Sequence, residues 1–209
     1  MGRVSISIAI INCGWGNLQS IYKKLSELKA IPVVAISADQ VKNADKILLP
    51  GVGHFETAMR HLKEVGIYDS LNEAVLIQKK QILGICLGME MMAKKSEEGN
   101  ATGFGWLDTC VIKFKVKDKV RYKVPHTGWN TVDICKESSL FKNIKDHSEF
   151  YFLHSYHFDR IGQNDIAAKT EYEYDFVSVV EKENIFATQF HPEKSHCAGI
   201  ELLKNFIRI

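Results

Sequence analysis

Gln81-Ile82-Leu83-Gly84-Ile85-Cys86-Leu87-Gly88-Met89-Glu90-Met91-Met92-Ala93 is the stretch that decides the fold. Its apolar opening (Ile82, Leu83, Ile85) predicts a short buried strand, and the residues after Cys86 are good helix formers. Between the two stands a cysteine with a glycine two positions away on either side. That is the strand, sharp turn and helix of a nucleophile elbow, G-x-S-x-G with Cys in place of Ser. Gly84 and Gly88 let the strand and helix backbones crowd the turn, which holds Cys86 strained with its sulfur exposed. The positive end of the following helix is expected to favour thiolate over thiol. Taken alone, the pattern fits a buried structural cysteine equally well.

Upstream, the chain alternates between two periods. Residues 3–11 alternate and then become wholly apolar, as a central strand buried on both faces does, and Asn12-Cys13-Gly14-Trp15-Gly16-Asn17 breaks the run. Leu18, Ile21, Leu25 and Leu28 then recur at helical spacing. Pro32-Val33-Val34-Ala35-Ile36 and Lys46-Ile47-Leu48-Leu49 predict two more strands. The loop Pro50-Gly51-Val52-Gly53 leads into a helix carrying Phe55, Met59 and Leu62, and Ile67, Leu71 and Val75 mark another. Strand and helix in alternation predict an α/β fold, a doubly wound, mostly parallel sheet flanked by helices.

After Gly99 β-branched and aromatic residues dominate, with only short helical candidates such as 139–144. Residues 111–116 alternate apolar and basic, as an exposed or edge strand does. Further strands are expected over 150–153, 166–170, 176–180 and 185–190. Their connections are too short for crossover helices, so this strand-rich extension should pair antiparallel. Leu202, Leu203 and Phe206 place a closing helix on the sheet.

At 209 residues the chain fits one domain, residues 1–209. A formal net charge of +2 makes no electrostatic case for nucleic acid, and no dense Lys/Arg block stands out. The longest apolar runs, 6–11 and 47–49, are too short to span a bilayer, and no signal-peptide pattern opens the chain. Five scattered cysteines argue against a disulfide framework or a zinc site. The expectation is a cytoplasmic protein with no metal and no cofactor.

A thiolate nucleophile needs a base and a group to hold that base. Phe190-His191-Pro192-Glu193 follows the 185–190 strand, and strand ends are where loops of an α/β sheet converge. Glu193 can reach Nδ1 of His191 and turn Nε2 toward the sulfur; the alternative is a packed histidine beside a solvated glutamate. Acyl transfer also needs N–H donors for the developing oxyanion. The Pro50-Gly51-Val52-Gly53 loop can offer one and Leu87 the other, although Pro-Gly also makes an ordinary βα turn. Cys13 is the rival nucleophile, but Ile11 stands where an elbow needs glycine. Its Gly-rich turn lacks the third glycine of a dinucleotide site, which is Gln19. Cys110, Cys135 and Cys197 have no catalytic context, and His126, His154 and His157 read as bonded core histidines. No group has metal-ligand spacing.

Leu49-Pro50-Gly51-Val52-Gly53, Gly84-Ile85-Cys86-Leu87-Gly88 and Phe190-His191-Pro192-Glu193-Lys194-Ser195 together resemble class I (triad) glutamine amidotransferases. Gly14-Trp15-Gly16-Asn17-Leu18, Val124-Pro125-His126-Thr127-Gly128-Trp129-Asn130 and Tyr151-Phe152-Leu153-His154-Ser155-Tyr156 narrow the resemblance to the HisH family. Those proteins are the glutaminase subunits of imidazole glycerol phosphate synthase. The resemblance implies hydrolysis of glutamine to glutamate and ammonia. The ammonia goes to a HisF-type (β/α)8-barrel synthase subunit that makes imidazole glycerol phosphate and AICAR in histidine biosynthesis. It also implies a heterodimer with that subunit, and neither metal nor organic cofactor.

Carried over by residue, Cys86 is the nucleophile, His191 the general acid/base and Glu193 its orienter. Val52 and Leu87 supply the oxyanion N–H groups; Gly53, Glu90 and Glu98 lie beside the substrate; Asn17, Pro125 and Trp129 face the partner. In the family the Pro-Gly-Val-Gly loop turns productive only when the partner is loaded. This chain departs from the family at Glu90, where Gln is usual, at Cys13, usually aromatic, and at His54 and Thr127, usually apolar. Ser96-Glu97-Glu98-Gly99 and Ser195-His196 suit a HisH-like branch that supplies ammonia for amidation of a surface-polysaccharide sugar through a HisF-like partner. A peptidase or γ-glutamyl hydrolase on the same scaffold, and a non-catalytic binding module, are the remaining alternatives.

Overall fold

The computed structural model describes residues 6–14 and 18–209. Its strands are β1 (Ser7–Ile11), β2 (Ile31–Ala35), β3 (Lys46–Gly51), β4 (Ile82–Cys86), β5 (Lys95–Ser96), β6 (Ala101–Thr102) and β7 (Cys110–Lys113). Then come β8 (His126–Ile134), β9 (Ser148–His154), β10 (Tyr156–Phe158), β11 (Ile166–Tyr172), β12 (Tyr174–Lys182) and β13 (Ile185–Thr188). The helices are α1 (Leu18–Glu27), α2 (Ala38–Asn43), α3 (Phe55–Glu64), α4 (Tyr68–Asn72), α5 (Leu87–Glu90) and α6 (His196–Arg208).

Nine strands form one sheet in the order β2-β1-β3-β4-β13-β12-β11-β8-β9, and four form a second, β10-β7-β5-β6. The first five strands of the large sheet are parallel, and from β13 onward pairing is antiparallel. The doubly wound sheet with an antiparallel extension is therefore present.

The strand period of two sends alternate residues into separate cores. Ala9, Ile11, Ile47 and Leu49 join the side chains of α2, α3 and α4. Ile8, Ile10, Leu48 and Leu83 join those of α1 and α6. In α1, Ile21 and Leu25 are buried, and Lys29 ends the segment in the left-handed region (φ 66°). In α6, Leu202, Leu203 and Phe206 are fully buried, each worth about 2 kcal/mol of transferred apolar surface.

Four expectations need correction. The helix after Cys86 is a single turn, because the carbonyls that would continue it are taken. Met91, Met92 and Ala93 accept from the N–H groups of Phe104, Leu107 and Gly105. Pro50 and Gly51 belong to β3 rather than to the loop. The 111–116 alternation is no edge: β7 lies between β10 and β5, with Val111, Phe114 and Val116 buried. The helix over 139–144 shrinks to a 3-10 turn at Ser139–Phe141. Several elements escaped the sequence reading: α2, a six-residue helix with a single buried anchor, Val41, and the strands β5, β6, β8 and β10.

Candidate active site

Strand β4 delivers Cys86 to the carboxyl edge of the parallel strands, in register with Gly51 of β3. Its backbone (φ 54°, ψ −114°) lies outside the regions an L-residue ordinarily occupies, a strain on the order of 1–3 kcal/mol. The flanking glycines make the turn possible. A Cβ on Gly88 would stand 1.7 Å from the Leu49 carbonyl oxygen, and one on Gly84 2.7 Å from the Met92 methyl and 2.9 Å from the Gly88 carbonyl. The packing that forbids side chains here is what locks Cys86.

The sulfur differs from expectation in two ways. Cys86 is only 5% exposed and opens onto a cavity of about 210 Å³ rather than onto solvent. Its thiol pKa is raised well above the ordinary value, first by burial and then by the negative charge of Glu90. The Leu87 N–H pulls the other way without prevailing. One helical turn has too little dipole to offset burial, so the resting group is a thiol. It donates to the Leu153 carbonyl at 3.6 Å.

The cavity gathers Val52, Gly53, Leu87, Glu90 and Glu98 around Cys86, with Pro125 at its rim. Gly53 adopts φ 110°, open to glycine alone at ordinary cost. Glu98 accepts the Phe55 N–H at 2.7 Å, tying the small sheet to the first turn of α3 just past the Pro-Gly-Val-Gly loop. Glu90 is buried and accepts from Gln189 Nε2 at 2.9 Å. Burial pushes its carboxyl up to about 8, assisted by Glu98 and opposed by the Gln189 bond.

His191 follows β13, the strand next to β4. Its Nδ1–H donates to Glu193 Oε1 at 2.9 Å with both side chains almost wholly buried, which leaves Nε2 as the free acceptor. That Nε2 is buried and has no hydrogen-bond partner among the described residues. Ser195 braces the turn, donating to the His191 carbonyl at 2.6 Å and accepting the Tyr151 N–H at 3.0 Å. Glu193 lies close enough for its charge to act on Cys86.

Among the partner-facing expectations, Pro125 and Trp129 are surface residues. Trp129 is 44% exposed and stacks on His196 at 4.8 Å. Asn17 lies outside the described residues. Several residues had no place in the site assigned from sequence: Gln189, which bonds Glu90, and on the cavity wall His154, Ser155, Tyr156 and the Leu153 carbonyl. The one signal for the last four was the aromatic-rich stretch 150–158, since a backbone carbonyl carries no sequence signature.

His126, His154 and His157 are buried and bonded as expected. His126 Nδ1 meets His154 Nε2 at 3.1 Å, and His154 Nδ1 donates to the Tyr156 carbonyl at 2.7 Å. Cys13 is 1% exposed, its thiol pushed up to about 12 by burial. Metal-ligand spacing does occur among the described residues, contrary to expectation, at Asp133, Asp146 and His147. There His147 already bonds Asp133 at 2.7 Å, and Asp146 accepts the Ile134 N–H. Among the described residues, no helix is long and apolar enough to cross a membrane.

A strained cysteine over a small cavity beside a buried His-Glu pair can carry acyl transfer, and comparison with known proteins points to the same chemistry. "Glutamine amidotransferase class-I" matches residues 9–209. "Imidazole glycerol phosphate synthase subunit HisH 1" of Campylobacter jejuni (strain RM1221) is 44% identical over 203 residues, covering 97% of this chain and 100% of that one. "Imidazole glycerol phosphate synthase subunit HisH 2" of Methanococcus maripaludis is 42% identical over 201 residues, covering 96% and 98%. The structure of PurLQS from Thermotoga maritima superposes with a TM-score of 0.75 at 14% identity, covering 98% and 99%, which speaks to the fold alone. The chain belongs to the class-I glutamine amidotransferase family and, within it, to the HisH subunits.

Proposed function

We propose that the chain hydrolyses glutamine to glutamate and ammonia and delivers the ammonia to a HisF-type (β/α)8-barrel synthase subunit, which makes imidazole glycerol phosphate and AICAR in histidine biosynthesis. The observation that carries the reading is Cys86 at φ 54°, opening on the cavity of Val52, Gly53, Leu87, Glu90 and Glu98, with the His191–Glu193 pair on the next strand.

In this reading the Cys86 sulfur attacks the side-chain amide carbon of glutamine as its proton passes to His191 Nε2. The carbonyl oxygen becomes an oxyanion facing the N–H groups of Val52 and Leu87. His191 returns the proton to the departing nitrogen, and ammonia leaves a γ-glutamyl thioester. Water then attacks the thioester while His191 takes its proton, and glutamate departs as the thiol re-forms. Glu193 holds Nδ1 and stabilises the imidazolium that appears twice in the cycle. Glu98, Glu90 and Gly53 line the place of the amino-acid head group.

The resting thiol, bonded to the Leu153 carbonyl, accounts for a subunit that idles until its partner docks on the face carrying Pro125 and Trp129. Catalysis by these groups requires no cofactor. The reading is tested by treating the protein with a glutamine-analogue electrophile, with and without the barrel subunit, and mapping the adduct. It expects modification of Cys86, faster with the partner; labelling at Cys13, or none, overturns it.

A second reading has one supporting observation: the relatives' names number their HisH subunits 1 and 2. It assigns the ammonia to a HisF-like partner that amidates a surface-polysaccharide sugar. Complementation of a histidine auxotroph lacking its HisH subunit separates the two, since only the first restores growth.

A further inference from the structure

Residues 113–123 read Lys-Phe-Lys-Val-Lys-Asp-Lys-Val-Arg-Tyr-Lys, with a cation at every odd position. A search for contiguous basic blocks passes over this segment because each cation is separated from the next by one residue. The strip carries six cations and one acid, so the remaining 21 basic and 24 acidic residues are net negative. The structure sorts the alternation. Phe114 and Val116 are buried, Phe114 among His154, His157, Tyr172 and Phe176. All six cations are exposed.

The backbone that presents them is held in place. Both carboxylate oxygens of Glu173 are used, on the N–H groups of Lys117 and Asp118. Asp118 in turn accepts from Val120 and Arg121. These acids therefore serve the main chain. Only Lys115 stands within ion-pair distance of a carboxylate, 3.8 Å from Glu97.

Lys113, Lys115, Lys119 and Lys123 line a groove of about 520 Å³ over Tyr122 and Val124. Through Tyr122 and Lys123 it runs into a hollow of about 770 Å³ lined by Arg121, Pro125, Trp129 and Tyr172, where Glu171 is the one acid. Pro125 also lines the catalytic cavity. The groove is thus continuous with the face assigned above to the partner.

We propose that this groove docks an acidic surface segment of the barrel synthase subunit, extending the interface beyond Pro125 and Trp129; the inference rests on the partner reading above. Cations at an interface rim steer encounter and discriminate among partners more than they deepen affinity, and salt screens them. Exposed lysines on an ordered backbone, most of them outside ion-pair distance of a carboxylate among the described residues, meet that requirement.

The test is binding of the cognate barrel subunit to the full chain and to Lys115→Glu/Lys119→Glu/Lys123→Glu, at about 50 mM and about 400 mM salt. The expected result is a wild-type affinity that falls about tenfold across that range, and a triple variant about tenfold weaker at low salt with a flattened salt dependence. Its denaturant melt should match that of the wild-type chain, which separates lost docking from lost folding. Equal affinity and equal salt dependence for the two proteins would overturn the proposal while leaving the partner reading intact. Failure of the wild-type chain to bind the barrel subunit would remove both. Tight, charge-dependent binding of a duplex oligonucleotide, with no effect of the variant on the barrel subunit, would also overturn it.

Discussion

Cys86 and Cys13 both follow parallel strands of the same sheet, both are free, and both thiols are held above their ordinary pKa by burial. They differ in the backbone beneath them and in what they face. Cys86 sits at φ 54° over a cavity with a buried His-Glu pair on the adjacent strand. Cys13 is sealed in the core, its sulfur 3.9 Å from the Ile11 carbonyl two residues back. Burial alone makes a thiol inert; the proposed role of Cys86 rests on the cavity at its side and on the His-Glu pair of the neighbouring strand. Residue type and a nearby glycine are common to both sites and decide nothing.

The sharpest attempt to break this contrast is to remove each sulfur in turn. Cys86→Ala should lower glutamine hydrolysis by a factor of about 10³ or more, while Cys13→Ala stays within about threefold of wild type in a coupled glutamate assay. A Cys13 variant as dead as the Cys86 variant would overturn the assignment. Next in size is the packing of the two turns. Gly88→Ala forces a Cβ onto the Leu49 carbonyl and should cost about 3 kcal/mol or more. Gly14→Ala meets nothing nearer than 3.5 Å and pays only for φ 89°, about 1 kcal/mol. Denaturant melts of the two proteins measure both.

The buried histidines give the third prediction. The fold holds His126 down at about 4 and His154 well below its ordinary value, in both cases chiefly through burial. The unfolded chain therefore binds more protons as pH falls through the ordinary imidazole range, and stability should decline from about pH 6.5 to about pH 4. His126→Gln should flatten that decline by about 1–2 kcal/mol. Acid melts with the same slope for the two proteins would show that the histidines do not drive it.

The last prediction concerns Glu90. Its folded-state pKa is raised to about 8 from 4.5, so the native state pays for its ionisation as pH climbs through that window. Glu90→Gln removes the ionisation and should stabilise the chain by on the order of 2 kcal/mol at pH 9, and by less at pH 5. The same variant should change KM several-fold more than kcat, because the proposed function sets Glu90 beside the amino-acid head group. Equal KM values above pH 8 would detach Glu90 from substrate binding.

Much of the architecture was legible in the residues themselves. Period-two and helical spacing located the parallel strands, and Ile21, Leu25, Leu202, Leu203 and Phe206 are buried where periodicity put them. The elbow was legible because the chain can turn that tightly at Cys86 only if Gly84 and Gly88 carry no side chain, a constraint written in three residues. His191-x-Glu193 was legible for the same reason: two positions suffice for Nδ1 to reach Oε1.

Everything that depended on distant segments was not. The helix after Cys86 stops because residues 103–107 claim its carbonyls. The thiol keeps its proton because layers remote in sequence cover it, and Glu90 is pushed toward neutrality by the same enclosure. The basic groove is visible only once Phe114 and Val116 fix which side of the 113–123 strip faces out. Where the backbone turns and which side chains are close along the chain can be read from the residues, because those are short-range steric facts. The tertiary structure decided protonation, exposure and which surfaces join, because burial and electrostatics depend on whatever the rest of the fold packs around a group.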